Sequence, residues 1–284
     1  LASVGMLASV AACGSGQSTS EKNGTIEVAA SVNQWGTVAK ALGGDNVNVT
    51  SIINSTNVDA HDYEPTTSDI AKLQKAQVII VNGAGYDAWA VKAAQTANAI
   101  IVNAAEIGGV NDGENPHVWF SADVRKAVAQ AITEAYEQAD AAKKNDFDKM
   151  NDQWAAEENN VESKIAEVKQ KTDGLAYAAT ESVASYLAED MGLADATPSG
   201  YARATANESE PTPTDIKQFT DALKAGEIKL LVVNTQEESE LTGKITDAAK
   251  SVEVPMVELT EQMPEQYDSL TDWMAALVDA FSQA

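Results

Sequence analysis

Two histidines are the only imidazole side chains in this chain of 284 residues, and each lies in a short stretch suited to holding a ring in place. His61 begins the stretch His-Asp-Tyr-Glu-Pro-Thr, and His117 lies within Asn-Pro-His-Val-Trp. Acidic, amide and aromatic neighbours orient an imidazole for metal coordination or for proton transfer. The pattern therefore predicts a metal site or an acid-base pair. The alternative is two unrelated histidines, one in a loop and one in a core.

The charge balance narrows the classes of partner. The chain has 19 Lys and Arg residues against 43 Asp and Glu residues, a net charge of -24 at pH 7. Binding to nucleic acid requires basic clusters against the phosphates, and we find none in the sequence. A nucleic-acid partner is therefore not expected, whereas an acidic surface attracts cations. With 44% hydrophobic residues, the chain can bury one large core or two smaller ones.

The first residues are typical of a lipoprotein. Residues 1–12 are small or apolar and uncharged, and they precede Cys13, the only cysteine, so an intrachain disulfide is excluded. The pattern is that of a signal peptide followed by a lipoprotein cleavage site, and it is shorter than the roughly 20 residues of a membrane span. We expect a signal-peptide remnant at 1–12 and a lipidated, flexible tether at 13–24. The protein would then be anchored to the outer face of the cell membrane.

Apolar runs alternate with helical segments in both halves of the chain. The predicted strands are 26–30, 47–53, 78–81, 99–102, 176–180, 228–233 and 255–259. The predicted helices include 35–42, 67–75, 214–225 and 243–251. This alternation predicts parallel βαβ units, which bind ligands at the carboxyl ends of their strands. His61 follows the second predicted strand and so falls where such a fold binds ligands.

A long helix is predicted between the two halves. Residues 121–171 contain no glycine or proline. In the second half of this stretch, apolar residues recur at steps of three, four or seven and form one helical stripe, comprising Phe147, Met150, Trp154, Val161, Ile165 and Val168. Such a helix would be roughly 40 Å long. We therefore predict an α/β fold of two βα lobes, 25–142 and 173–284, with parallel-rich sheets, joined by a long rigid helix at 143–172.

Several motifs together resemble those of a known family. They are the lipoprotein-type N-terminus, the His61 stretch, Val81-Asn82-Gly83-Ala84-Gly85-Tyr86-Asp87, the His117 stretch and Thr180-Glu181. Because it carries these motifs in this order, the chain is similar to the cluster A-I metal-binding lipoproteins. These are the substrate-binding proteins of zinc and manganese ABC importers. The resemblance covers nearly the whole mature chain. It implies a monomeric, non-enzymatic receptor that holds one Mn²⁺ or Zn²⁺ ion between its lobes and delivers it to an ABC permease.

The resemblance also implies the metal ligands. His61 and His117 correspond to the first two ligands, and Glu181 corresponds to the third, at a turn from strand to helix. Asn115 stands where the family usually has Asp, a change that concerns only the support of the His117 loop. Without the resemblance, Glu181 could simply be a carboxylate at a helix start, favoured by the helix dipole.

The fourth ligand is less sharply indicated. Glu261 follows the last predicted strand where the family carries Asp, and Glu237 and Glu238 are competing candidates after the preceding strand. Two imidazoles and two carboxylates carry a net charge of about -2, which neutralises a divalent ion. Carboxylates able to bind through both oxygens favour Mn²⁺. The chain also lacks the His-rich loop that many zinc-type members of the family carry between the first two ligands, which likewise favours Mn²⁺. Zn²⁺ stays a close alternative, because most sites bind it more tightly than Mn²⁺.

Two other classes of function are compatible with the same residues. One is a metal-dependent extracellular hydrolase in which Glu64 acts as general base beside a metal on His61 and His117. Such an enzyme needs an open coordination position for the attacking water. The other is a surface adhesin whose metal is structural.

Overall fold

Two parallel four-stranded sheets form the framework of the protein. The computed structural model describes residues 24–58 and 60–284. In the first sheet β1 Ile26–Val32, β2 Val47–Ile53, β3 Val78–Val81 and β4 Ile100–Asn103 lie in the order β2-β1-β3-β4. In the second sheet β5 Ala176–Ala179, β6 Ala194–Asp195, β7 Leu230–Asn234 and β8 Met256–Leu259 lie in the order β6-β5-β7-β8. The strand pairs of both sheets are parallel, which confirms the predicted α/β class with two βα lobes.

Helices connect and follow the strands. They are α1 Asn33–Gly43, α2 Thr67–Lys75, α3 Ala88–Ala94, α4 Ala104–Ile107, α5 Ala122–Ala139, α6 Lys144–Thr172, α7 Ser185–Asp190, α8 Ser199–Ala206, α9 Pro213–Lys224, α10 Glu240–Ser251 and α11 Leu270–Gln283. Short 3-10 turns span Gly44–Asn46, Val118–Phe120 and Ala141–Lys143. Within the described residues, a helix long and apolar enough to cross a membrane is not found. The predicted signal-peptide remnant and Cys13 lie outside the described residues.

Side-chain caps determine where several helices begin. Thr66 and Asp69 form a capping box at the start of α2, and Thr212 and Asp215 form another at the start of α9. At α10 the box formed by Ser239 and Thr242 starts the helix three residues before the predicted position 243. Each cap satisfies backbone N–H groups that the first turn of a helix leaves unpaired. The caps of α2 and α10 thereby fix the ends of two loops that border the cleft between the lobes.

The long helix that joins the lobes is α6. It has 29 residues and is therefore about 43 Å long. Its buried stripe includes Phe147, Trp154 and Val161, and these side chains belong to one hydrophobic cluster that continues into both lobes. Because one core runs through both lobes, they are packed together and not merely linked.

The C-terminal helix α11 completes this arrangement, and the sequence analysis did not predict it. Ser269 caps α11, and the helix buries Trp273, Leu277 and Phe281. It packs against α6 and α1, one the connecting helix and the other part of the first lobe. The end of the chain therefore returns from the second lobe and contacts the first. The short strand β6 was also missed, because its two residues are exposed and form no apolar run.

A fully buried ion pair lies between α5 and α6. The Arg125 Nε atom lies 3.0 and 3.1 Å from the two carboxylate oxygens of Glu158. Arg125 Nη1 also donates a hydrogen bond of 3.0 Å to the carbonyl oxygen of Trp119. Charges without access to water each need an opposite charge and hydrogen bonds. The pair therefore fastens α5 to α6 and holds the turn that follows His117.

Replacing Glu158 with Leu leaves the Arg125 guanidinium buried without its carboxylate. We expect a loss of about 3–5 kcal/mol in the free energy of unfolding, measured by urea denaturation of the metal-free protein. The double variant Arg125→Met/Glu158→Leu removes both charges and is expected to recover much of that loss. Equal losses in the single and double variants would show that the penalty does not arise from an unpaired charge.

Candidate metal centre

The four residues assigned as ligands by the resemblance lie together in the cleft between the lobes. His61 lies in the loop between β2 and α2, and His117 lies just before the 3-10 turn that leads into α5. Glu181 follows β5, and Glu261 follows β8. The first lobe thus contributes both imidazoles, and the second lobe contributes both carboxylates from the carboxyl ends of its strands.

The distances are those of atoms around one centre. One nitrogen or carboxylate oxygen from each of the four residues lies within 4.8 Å of the others. Glu261 Oε2 is 3.6 Å from His61 Nε2 and 3.7 Å from His117 Nε2. His117 Nε2 is 4.0 Å from Glu181 Oε1. Ligands of a transition metal lie about 2.0–2.2 Å from the ion, which places neighbouring ligand atoms roughly 3–4 Å apart. The four side chains can therefore hold one ion with small adjustments.

His117 is held so that one ring nitrogen faces this centre. Asn115 Oδ1 accepts a hydrogen bond of 3.1 Å from the His117 backbone N–H and lies 2.6 Å from Nδ1 of the ring. Because that oxygen can only accept, Nδ1 carries the proton in the neutral ring, and Nε2 is then the nitrogen whose lone pair can bind a metal. His117 Nε2 is buried and has no hydrogen-bond partner among the described residues. The indole of Trp119 packs edge to face against the ring, with centroids 5.4 Å apart.

Asn115 also connects the two lobes. Its amide nitrogen donates hydrogen bonds of 2.7 Å to the carbonyl oxygen of Ser182 and 2.6 Å to Ser185 Oγ. Ser182 follows Glu181 directly in the chain. An aspartate, which has no N–H, could not donate these bonds. The residue that departs from the family pattern thus supports His117 and ties its loop to the Glu181 turn.

His61 is held by a contact that the sequence analysis missed. Its Nδ1 lies 3.2 Å from Glu208 Oε1, on the loop between α8 and α9. The ring also packs edge to face against Tyr86, at 4.8 Å between centroids. A carboxylate on one ring nitrogen commonly orients the other nitrogen toward a metal. Glu208 lies in the segment Asn-Glu-Ser-Glu-Pro. The acidic, turn-rich composition of this segment is the sequence feature that could have pointed to Glu208.

Glu261, the least sharply indicated ligand in the sequence, is held by residues of the first lobe. Tyr86 Oη donates a 2.9 Å hydrogen bond to Glu261 Oε2, and Gln34 Nε2 donates one of 2.6 Å to its carbonyl oxygen. The side chain is almost completely buried. Glu237 and Glu238, the competing candidates, are exposed at the rim of the cleft. The structure thus places Glu261, and neither competitor, beside the two imidazoles.

Comparison with known proteins identifies the family. Residues 28–284 match the family described as zinc-uptake complex component A, periplasmic. The chain belongs to this family.

Individual relatives agree with this assignment. The chain is 24% identical over 253 residues to the manganese ABC transporter substrate-binding lipoprotein PsaA of Streptococcus pneumoniae, covering 82% of this chain and 79% of the relative. It is 26% identical over 236 residues to the iron ABC transporter substrate-binding lipoprotein MtsA of Streptococcus pyogenes serotype M1, covering 75% and 73%. The fold matches the periplasmic zinc-binding protein TroA of Treponema pallidum with a TM-score of 0.77 at 15% identity, covering 92% and 99%. It matches the crystal structure of ZnuA with a TM-score of 0.75 at 18% identity, covering 92% and 99%.

The two carboxylates of the centre differ in their affinity for protons. Burial raises the pKa of Glu181, and the negative charge of Glu261 raises it further. Burial alone would also raise the pKa of Glu261. However, the contacts with His117, His61 and Tyr86 outweigh burial, and the pKa of Glu261 is lowered. Without a cation, Glu181 is therefore the carboxyl group that more readily keeps a proton.

The cleft outside the centre is open and acidic. Its cavity has a volume of about 1120 Å³. Besides Glu181, the acidic side chains that line it are Asp62, Glu114, Glu208, Glu210, Glu237, Glu238 and Glu240. A cleft lined by charges of one sign focuses the field and concentrates ions of the opposite sign. This rim therefore attracts cations toward the buried ligands.

Replacing Glu181 with Gln should stabilise the metal-free protein at neutral pH. The folded-state pKa of Glu181 is raised, so its ionised form costs stability once the pH rises through that pKa. Gln keeps an oxygen that can accept the same hydrogen bond but removes the charge. We expect Glu181→Gln to melt at a higher temperature than the parent at pH 7.5 in chelator, and the difference to vanish near pH 4. Glu238→Gln is the matched control at the exposed rim and should change little. A parent-like melting temperature for Glu181→Gln at pH 7.5 would contradict this account.

Proposed function

We propose that this protein captures one divalent transition metal ion, Mn²⁺ or Zn²⁺, outside the cytoplasm and delivers it to an ABC permease. The observation that carries the proposal is the convergence of two imidazole nitrogens and two carboxylate oxygens from both lobes in one cleft. Proteins of this family are substrate-binding components that work with a permease and an ATPase. Relatives of this chain include a manganese and an iron ABC transporter substrate-binding lipoprotein, and a periplasmic zinc-binding protein shares its fold.

His61, His117, Glu181 and Glu261 are the proposed ligands. Their summed charge of about -2, with neutral imidazoles, is balanced by one divalent ion. The balance matters because two ionised carboxylates in a buried site repel each other and are poorly solvated. A bound cation relieves both penalties at once. Oxygen ligands favour Mn²⁺, and the general order of metal affinities keeps Zn²⁺ as a close competitor.

We further propose that the protein acts as a monomer held at the outer face of the cell membrane by a lipid on Cys13. The lipoprotein-type pattern before Cys13 supports the anchor, and several relatives are named as lipoproteins. Such an anchor would keep the protein beside a permease in the same membrane.

Catalysis is not part of this proposal. Glu64, the general base of the hydrolase alternative, is exposed, whereas Glu261 Oε2 lies within 3.7 Å of a ring nitrogen of both imidazoles. A hydrolytic metal site needs an open position for water. Four protein ligands instead suit capture and release of the ion. Family membership likewise favours neither the hydrolase nor the adhesin with a structural metal.

Single replacement of each proposed ligand by Ala tests the site. Calorimetric titration of the parent should show one ion per chain. We expect each replacement to weaken binding by more than about 100-fold, since even residues behind metal ligands change affinity by 10- to 100-fold. Glu261→Ala should be among the most severe, because this carboxylate contacts both imidazoles. Glu238→Ala, at the rim, should bind within about twofold of the parent. Parent-like binding by His117→Ala or Glu261→Ala would refute the proposed ligand set.

Metal affinity should fall as the solution is acidified. A coordinating imidazole must be neutral, and an unperturbed imidazole has a pKa of about 6.5. The raised pKa of Glu181 acts in the same direction, since this carboxyl group must also release its proton. Titrations at pH 7.5 and 5.5, in buffers with different ionisation enthalpies, should show weaker binding and greater proton release at the lower pH. A dissociation constant that does not change between these values would exclude imidazole ligands.

A further inference from the structure

One buried amide contacts both carboxylates of the centre. Asn234 lies at the end of β7 and is almost fully buried. Its Nδ2 atom donates hydrogen bonds of 2.7 Å to Glu181 Oε2 and 3.1 Å to Glu261 Oε1. These oxygens are not the ones nearest the histidines, which are Glu181 Oε1 and Glu261 Oε2. Asn234 thus engages one oxygen of each carboxylate and leaves the other directed at the imidazoles.

The orientation of this amide is determined by its surroundings. Asn234 Oδ1 accepts a hydrogen bond of 3.0 Å from the backbone N–H of Gln236, so Nδ2 must face the carboxylates. The Asn234 backbone N–H donates to Thr180 Oγ1 at 3.0 Å. In addition, β7 lies between β5 and β8, the strands that Glu181 and Glu261 follow. The position between the two carboxylates is therefore built into the sheet order.

We propose that Asn234 sets the metal preference of the centre by limiting each carboxylate to one oxygen toward the ion. The inference rests on the function proposed above. With Asn234 in place, the site presents two nitrogens and two oxygens, the four-ligand set that suits tetrahedral Zn²⁺. Mn²⁺ prefers more oxygen ligands and six-fold coordination. The bonds to Asn234 hold Glu181 Oε2 and Glu261 Oε1 turned toward the amide, so recruiting either oxygen as an additional ligand requires its carboxylate to turn against that bond. Asn234 therefore shifts the preference toward Zn²⁺, relative to the same site without the amide.

Tyr86 provides a matched comparison. It also donates a hydrogen bond to Glu261, but to Oε2, the oxygen that already faces the imidazoles. Loss of that bond changes the electron density on a metal-facing oxygen and frees no second oxygen. Asn234 and Tyr86 thus support the same carboxylate and differ in which oxygen they engage. Only the loss of Asn234 should change the number of ligands.

The experiment measures dissociation constants for Mn²⁺ and Zn²⁺ by competition with a chelating indicator. It compares the parent, Asn234→Ala and Tyr86→Phe. We expect the ratio of the Mn²⁺ constant to the Zn²⁺ constant to fall about tenfold or more in Asn234→Ala, the scale typical of residues behind metal ligands. In Tyr86→Phe both constants should change in parallel. A ratio in Asn234→Ala equal to that of the parent would overturn the proposal.

X-ray absorption of the zinc-loaded parent tests the same inference without depending on the folding of a variant. We expect four nitrogen and oxygen neighbours around zinc in the parent. Five or six neighbours around zinc in the parent would overturn the role of Asn234. Failure of the parent to bind either ion would instead refute the proposed function, so the two failures are distinguishable.

Discussion

Two carboxylates held beside each other in a buried cleft are the constraint on which the rest of this structure depends. Both side chains are largely buried, so the repulsion between Glu181 and Glu261 can be relieved by a proton or by a cation. The pKa of Glu181 is raised and that of Glu261 is lowered, so Glu181 is the carboxyl group that more readily takes up a proton. A divalent ion is the second solution, and in the proposed site the two imidazoles are its remaining ligands.

The division of ligands between the lobes follows from this constraint. The second lobe contributes all the negative charge of the centre, and the first contributes the directional nitrogen ligands. An ion between them therefore adds to contacts that already join the lobes. Asn33 of the first lobe donates to the Met263 carbonyl at 2.7 Å, and Gln34 donates to that of Glu261. The segment after β8 is thus held against α1 by contacts that do not involve an ion.

Rigidity in the first lobe reaches the centre through a chain of buried contacts. The Glu158 carboxylate of α6 orients Arg125, which holds the Trp119 carbonyl. Trp119 in turn packs against the ring of His117. A ligand positioned in this way loses little freedom on binding an ion, which favours affinity. The long helix therefore does more than set the distance between lobes.

Local patterns in the sequence determined much of the fold and part of the site. Apolar runs located β2, β3 and β8, and the heptad-like stripe located α6, because burial imposes a periodicity that neighbouring residues reveal. Only the tertiary structure places Glu261 beside the imidazoles and leaves Glu237 and Glu238 at the rim, since all three follow strands. The contacts of Asn234 with the carboxylates and of Glu208 with His61 likewise depend on the tertiary structure. Asn234 contacts Glu181, 53 positions away in sequence, and such contacts depend on the strand order and on how the lobes pack. Neither the strand order nor the packing of the lobes can be read from the spacing of residues that are close together in the sequence.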